Sequence, residues 1–259
     1  MSALRITCIP AGNPGPYTGP SGNNTWLVDG REPLLVDAGV GEVSHIAAIE
    51  DALAGRPLAR VFITHGHPDH ASGLPALTAR WPSLDAVVGL ESARQTIPAG
   101  DDHLQIVATP GHSADHACLW HEASGSCFSG DLLVAGGTVM IAASSGGSLR
   151  DYLASLAHLR ALGPRRVYPG HGPVIEEPVA LIDQYIAHRR ERDRQVRRAF
   201  EAGARTLDAL VAAVYPDLAP ALVGAARDTI LAHVRKLHGE GAIGFVDGLE
   251  GVRPSGPDH

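Results

Sequence analysis

The run Thr64-His65-Gly66-His67-Pro68-Asp69-His70 packs three imidazoles and a carboxylate into six residues, directly after a short β-type run at residues 60–64. No other feature constrains the chain as strongly. Side chains two apart in extended chain point the same way, so His65 and His67 can share one cation. Asp69 and His70 follow where the chain turns toward helix, and they point to a second position close by. Borderline-soft Zn2+ favours imidazole and carboxylate donors of this kind.

Three more clusters complete the pattern: Thr109-Pro110-Gly111-His112, Ser129-Gly130-Asp131 and Tyr168-Pro169-Gly170-His171-Gly172. Each follows a predicted strand and sets one metal-type side chain beside glycine, where the backbone can bend sharply and approach an ion closely. A lone Pro-Gly-His would be a bland turn. Four strand-end clusters in order are not bland, and point to a shared site.

Hydrophobic patterning predicts strands over residues 4–10, 24–29, 33–37, 60–64, 86–89, 104–108, 117–120, 126–128 and 166–168. It predicts amphipathic helices over 43–53 and 149–162, the latter with Leu149, Leu153, Leu156, Leu159 and Leu162 on one face. Two batches of strands, each followed by helix, indicate an α/β fold of two packed sheets with helices outside. Between the first two strands, residues 10–25 hold eight Gly or Pro in sixteen positions, which excludes regular structure and reads as a flap or a plain surface loop. After Pro178 the pattern becomes helical, at 178–202, 207–214 and 219–239, with a short β-like run at 243–247. This divides the chain into a catalytic domain, residues 1–188, and a small mainly helical module, residues 189–259.

A chain of 259 residues with 44% hydrophobic and 19% charged positions buries an ample core and is not disordered. No apolar run approaches the ~18–20 residues that span a bilayer, and no leader pattern is visible at the start, so a cytoplasmic protein is expected. Three cysteines without a C-x-x-C pair agree, indicating neither disulfides nor a thiolate zinc knuckle. A net charge of −7 argues against a protein that only coats nucleic acid.

The ordered set His-x-His-x-Asp-His, Gly-His, Ser-Gly-Asp and Gly-His-Gly resembles the metallo-β-lactamase superfamily over roughly residues 1–180. The resemblance implies an αββα sandwich with a dinuclear zinc site, iron or manganese being alternative occupants. It implies that His65, His67 and His112 hold one metal, that Asp69, His70 and His171 hold the other, and that Asp131 bridges both. It implies hydrolysis by a metal-bridging hydroxide, with Asp69 orienting the nucleophile and serving the leaving group as catalytic residue. Residues 24–28, 151–156 and 168–175 further resemble a lactamase-like subgroup that includes a mitochondrial endoribonuclease and carries a C-terminal winged-helix-like module.

The substrates this implies are a single-stranded RNA phosphodiester, or a small-molecule ester or thioester. True β-lactamases of this fold lack the aspartate corresponding to Asp131, so β-lactamase activity is expected to be minor. A mononuclear-iron persulfide dioxygenase shares the fold and is a rival reading. A nucleic-acid-binding protein with a relic site is another, though the full ligand set opposes it.

Other residues carry weaker signals. His116, four after His112, either orients a ligand or is structural. His45, His103, His121, His158, His188, His233 and His238 have no motif context and are expected to pack or face solvent. Cys118 and Cys127 are expected to face each other across a hairpin. Residues 136–148 line a cleft or form a solvent loop. The six arginines in residues 188–198 read as a solvated face with ion pairs, or alternatively as a groove for RNA. Residues 219–239 carry few cations (Arg227, Arg235 and Lys236), which favours a cap or a homo-oligomer contact over DNA binding.

Overall fold

The computed structural model describes residues 4–15, 18–91, 94–244 and 246. The chain divides into two units, one formed by Met1–Pro110, Asp115–Val139 and Ser155–Ile182, the other by Gly111–Ala114, Met140–Ala154 and Asp183–His259.

Short apolar runs buried on both faces build the first unit. Strands β1 (Arg5–Pro10), β2 (Asn24–Asp29), β3 (Leu34–Val36), β4 (Arg60–Ile63) and β5 (Asp85–Val88) form one sheet in sequence order. Pairing is antiparallel from β1 to β3 and parallel from β3 to β5. Strands β6 (Thr96–Ala99), β7 (Asp102–Ala108), β8 (Ala117–His121), β9 (Ser126–Gly130) and β10 (Arg166–Pro169) form the second sheet in the order β10-β9-β8-β7-β6.

Trp26, Val28, Val36 and Phe62 pack against Leu104, Leu119, Phe128 and Tyr168 in a core that fills the space between the sheets. Phe128 and Tyr168 stack at 5.1 Å between ring centroids. Their neighbours of opposite parity, Leu27, Leu35, Val61 and Ile63, lie in a second core with Ile49 and Leu53 of helix α1 (Val43–Leu53). A one-residue slip would exchange these two sets, and each fully buried Phe or Leu contributes roughly 2–3 kcal/mol, so the register is strongly determined.

A short helix α2 (Pro68–Ala71) begins at the histidine cluster, and α3 (Leu74–Arg80) adds Leu77 to the outer core together with Trp81, the residue that ends it. Neither α3 nor β6 is expected from the patterning. Pro75 hides the start of α3, although proline is tolerated in a first helical turn. Pro98 hides β6, which tolerates it as an edge strand. Cys127 pairs with Trp120, which sets Cys118 diagonal to it on the same face of the hairpin, where the two buried thiols meet without a disulfide.

Two histidines without motif context have packing roles. His45 is buried against the Thr25 hydroxyl at 2.9 Å. His121 clamps its hairpin between Ser124 Oγ at 2.7 Å and Asp102 Oδ2 at 3.2 Å.

Helix α4 (Leu149–Leu162) buries Leu149, Tyr152, Leu156 and Leu159, and α5 (Pro178–Glu201) carries the arginine run. In the second unit, α6 (Leu207–Val214) is capped by Thr206, whose hydroxyl accepts from the Ala209 N–H at 3.1 Å, and it packs on α7 (Val223–Gly239). A single turn precedes α7 at Pro220–Leu222.

Charged groups of this unit are largely spent on one another. Asp193 of α5 accepts from His233 Nδ1 at 2.6 Å and from Lys236 Nζ at 2.8 Å. Arg227 pairs with Asp208, and Arg235 donates to the Ala143 carbonyl. Arg194 pairs with Glu191, Arg197 donates to Glu201 at 2.8 Å, and Arg192 lies over the Tyr215 ring at 4.2 Å. Ser144, in the stretch expected to be a cleft wall or solvent loop, donates its hydroxyl to Asp228 at 3.0 Å.

Within the expected β-like run at 243–247, Phe245 and Asp247 lie outside the described residues, and Ile243, Gly244 and Val246 belong to no strand. No helix among the described residues is long and apolar enough to cross a membrane.

Candidate metal centre

Strand β4 delivers Thr64 and His65 at its end, both fully buried. The Thr64 hydroxyl donates to Asp37 Oδ2 at 3.1 Å. Its one proton thus spent, it accepts from His65 Nδ1 at 3.0 Å, which leaves His65 Nε2 as the donor atom of that ring. His65 Nε2 lies 2.9 Å from His67 Nδ1, so two imidazole nitrogens face one another across a gap of ligand scale. Asp115 Oδ2 accepts from the Gly66 N–H between them at 2.7 Å and holds the turn.

The second group gathers on α2 and behind β9 and β10. His70 is fully buried, and its Nδ1–H donates to Asp37 Oδ2 at 2.8 Å. Its Nε2 therefore turns to Asp131 Oδ1 at 3.3 Å and Asp69 Oδ2 at 3.6 Å. His171 Nε2 meets the same two oxygens at 3.3 and 3.4 Å. The ligand atoms of Asp69, His70 and His171 all lie within 4.8 Å of one another, as do those of His65, His70 and Asp131.

Glycine makes this approach feasible. A Cβ on Gly170 would sit 2.6 Å from His70 Cε1 and 2.8 Å from Asp131 Oδ1. Gly130 has φ +45°, and its Cβ would meet Thr64 Oγ1 at 2.6 Å.

Electrostatically the group draws positive charge to its centre. Burial opposes charge on His70, but Asp131 and Asp37 on two sides hold its pKa well above the ordinary imidazole value. Burial likewise opposes charge on His171, and hydrogen bonds to Asp131 and Asp69 outweigh it, raising its pKa to about 9. Burial pushes the Asp131 carboxyl up, yet His70 and His171 keep it well below the usual carboxylate range. Asp69 is also opposed by burial and is brought down to about 2, first by His171, then by His70 and Asn23. Two imidazoles pressed on two carboxylates, with the outer nitrogen of His70 already bonded to Asp37, form a nitrogen and oxygen donor set that fits a divalent cation such as zinc.

Of the residues singled out in the sequence, His65, His67, Asp69, His70, Asp131 and His171 meet in the first unit. His112 belongs to the second unit, where its Nδ1–H donates to the Met140 carbonyl at 2.9 Å and leaves Nε2 as the ring's donor atom. His116 is buried beside the cluster: its Nε2 accepts from the Asp131 backbone N–H at 3.2 Å while Nδ1 bonds the Thr109 hydroxyl at 2.8 Å.

Two contributors went unnoticed in the sequence. Asp37, 2% exposed, is the shared acceptor for Thr64 and His70. Its local signal is faint: an Asp before Ala-Gly at a strand end, at a positive φ of 65° that Asp tolerates better than most residues. Asn23, fully buried, donates from Nδ2 to Asp69 Oδ2 at 3.1 Å.

The family model described as the Metallo-beta-lactamase superfamily matches residues 18–93 and 82–171, and that of the Beta-lactamase associated winged helix domain matches residues 206–248. A Beta-lactamase-like protein 2 homolog of Caenorhabditis elegans is 35% identical over 74% of this chain and 69% of its own length. An Atrochrysone carboxyl ACP thioesterase of Aspergillus fumigatus is 32% identical over 76% of this chain and 65% of its own. A Beta-lactamase domain protein from Burkholderia ambifaria shares the fold, with a TM-score of 0.75 and 24% identity over 92% of this chain and 86% of that one. With two five-stranded sheets, a buried His/Asp cluster at their strand ends and a winged helix domain after them, the chain belongs to the metallo-beta-lactamase superfamily of metal-dependent hydrolases.

Proposed function

We propose that this chain is a two-zinc hydrolase of small-molecule esters or thioesters. The observation that carries the reading is the convergence of Asp69, His70 and His171, and of His65, His70 and Asp131, within ligand distance of one another. In this reading His65, His67 and His112 would hold one ion, Asp69, His70 and His171 the other, with Asp131 between them. Residues 1–188 would carry the chemistry and residues 189–259 the winged-helix-like module.

Bound there, two zinc ions supply a water with a pKa near ~7 and polarise the substrate oxygen that gains charge. The chain's own residues do the rest. Asp37 and Thr64 set which nitrogen of His70 and His65 faces inward. Asp69 meets Asn23, His70 and His171 through Oδ2. Its Oδ1 is the atom that takes a proton from the attacking water and passes it to the leaving group.

Three features support an ester or thioester over RNA: a relative named a thioesterase, a net charge of −7, and arginines of α5 paired within their own unit. The test is metal analysis of protein purified without chelator, followed by hydrolysis assays on a thioester, a lactone, a chromogenic lactam and single-stranded RNA. About two zinc ions per chain and the highest kcat/KM on the thioester or lactone are expected, with Asp69→Asn slower by at least ~100-fold. One iron per chain with oxygen uptake would show a dioxygenase instead. Preference for the lactam would overturn the weight placed on Asp131, and preference for RNA would overturn the substrate class.

A further inference from the structure

We infer that Asn23 is a positioning residue for the Asp69–His70–His171 side of the centre, and that Asn13 sets the direction in which Asn23 works. The inference rests on the two-metal reading above.

The end of the Gly/Pro-rich loop is stapled to the turn that carries His171. The Asn24 N–H donates to the Gly170 carbonyl at 2.8 Å, and Asn24 Nδ2 donates to Pro169 O at 3.1 Å and Gly172 O at 2.8 Å. Trp26 Nε1 adds a bond to Pro169 O at 2.9 Å, and Asn23 forms a backbone bridge with His171. Asn23 thus sits beside one ligand by its backbone and reaches another, Asp69, by its side chain.

Which end of the Asn23 amide meets Asp69 follows from a chain of donors. The Asn23 backbone N–H, which can only donate, gives its proton to Asn13 Oδ1 at 2.9 Å. Asn13 must then present Nδ2 to Asn23 Oδ1, at 2.8 Å. Asn23 is left to present Nδ2 to Asp69 Oδ2. Thr18 holds Asn13 by donating to its carbonyl at 2.7 Å, and a Cβ on Gly22 would lie 2.7 Å from Asn13 Oδ1. The loop is therefore a strap that aims one uncharged donor at one carboxylate oxygen. Hydrogen bonds of this kind to a ligand are worth ~10–100-fold in metal affinity.

The test is zinc stoichiometry and affinity of the full chain, by elemental analysis and competition with a chromogenic chelator, alongside thermal unfolding of the metal-free protein. Asn23→Ala is expected to weaken one of the two ions by ~10–100-fold and leave the other unchanged. Asn13→Asp is nearly isosteric and still accepts from the Asn23 N–H. It has no N–H for Asn23 Oδ1, so the Asn23 amide then lies between two acceptor-only carboxylates and cannot give Nδ2 to both sides; its hold on Asp69 is loosened and the same ion is weakened. Two ions bound as in wild type by both variants would overturn the inference. So would equal weakening of both ions, which marks a merely structural role. If Asn23→Ala fails to fold, the Asn13→Asp measurement decides. A wild-type chain that does not hold two ions sinks the two-metal reading itself, and this inference with it.

Discussion

Replacing Asp37 by Asn tests how the centre orients its ligands. Asp37 accepts three hydrogen bonds, from Thr64 N at 2.8 Å, Thr64 Oγ1 at 3.1 Å and His70 Nδ1 at 2.8 Å. Asn has the same shape and tolerates the positive φ of 65°, so the backbone is not the variable. With its oxygen kept on the Thr64 N–H, the new amide turns its NH2 toward Thr64 Oγ1 and His70 Nδ1. The hydroxyl can rotate to accept; His70 can accept only by moving its proton to Nε2, the atom that faces Asp69 and Asp131. A cation must then displace that proton, which costs ~10–100-fold in affinity, about 1.4–2.7 kcal/mol. The metal-free fold loses one charge-assisted buried bond, roughly 2 kcal/mol, or about 4–8 °C in Tm. Chelator competition and calorimetry read the two effects, and 15N chemical shifts of the imidazoles read the tautomer. Wild-type zinc affinity in Asp37→Asn, or an unchanged His70 tautomer, would refute the reasoning.

Further outcomes follow from the same geometry. Gly170→Ala places a methyl against His70 and Asp131 and is expected to cost about 1–3 kcal/mol and weaken zinc binding, read by unfolding and metal titration. Asp193→Ala leaves buried His233 without its carboxylate acceptor, while Lys236 keeps Glu240, and is expected to cost about 1–3 kcal/mol by chemical denaturation. Burial lowers the pKa of His45 from 6.5 to about 4, so the unfolded chain takes up that proton first. Stability is therefore expected to fall as pH drops from about 6.5 to about 4, by roughly 3 kcal/mol at most, and urea midpoints across that range should decline less in His45→Gln. Chelator treatment should lower Tm and abolish hydrolysis, with zinc restoring both.

The candidate ligands were legible because their spacing is local: His65 and His67 follow one strand, Asp69 and His70 lie on the turn of helix after it, and His112, Asp131 and His171 each sit beside glycine after a predicted strand. The sheets were legible from short apolar β-type runs such as Trp26-Leu27-Val28 and Val61-Phe62-Ile63, bounded by turn residues. What orients the ligands was not, because those partners are distant in the chain. Asp37 is 33 residues from His70 and Asn23 is 46 from Asp69, and nothing near either one in sequence marks it. Proline hid α3 and β6, since its two readings, breaker or tolerated position, depend on tertiary place. The arginines of α5 could be read as a solvated face or as an anion groove until Glu191, Glu201 and Tyr215 were seen beside them.

His65 and His67 follow β4 of the first sheet, with Asp69 and His70 on α2 just after it, and Asp131 and His171 follow β9 and β10 of the second. A half-folded chain with a single sheet therefore owns only part of a chelate. A cation held by both sheets, as proposed above, would act late, as a latch on the assembled sandwich: it should slow unfolding far more than it speeds folding, and add stability as its free concentration rises.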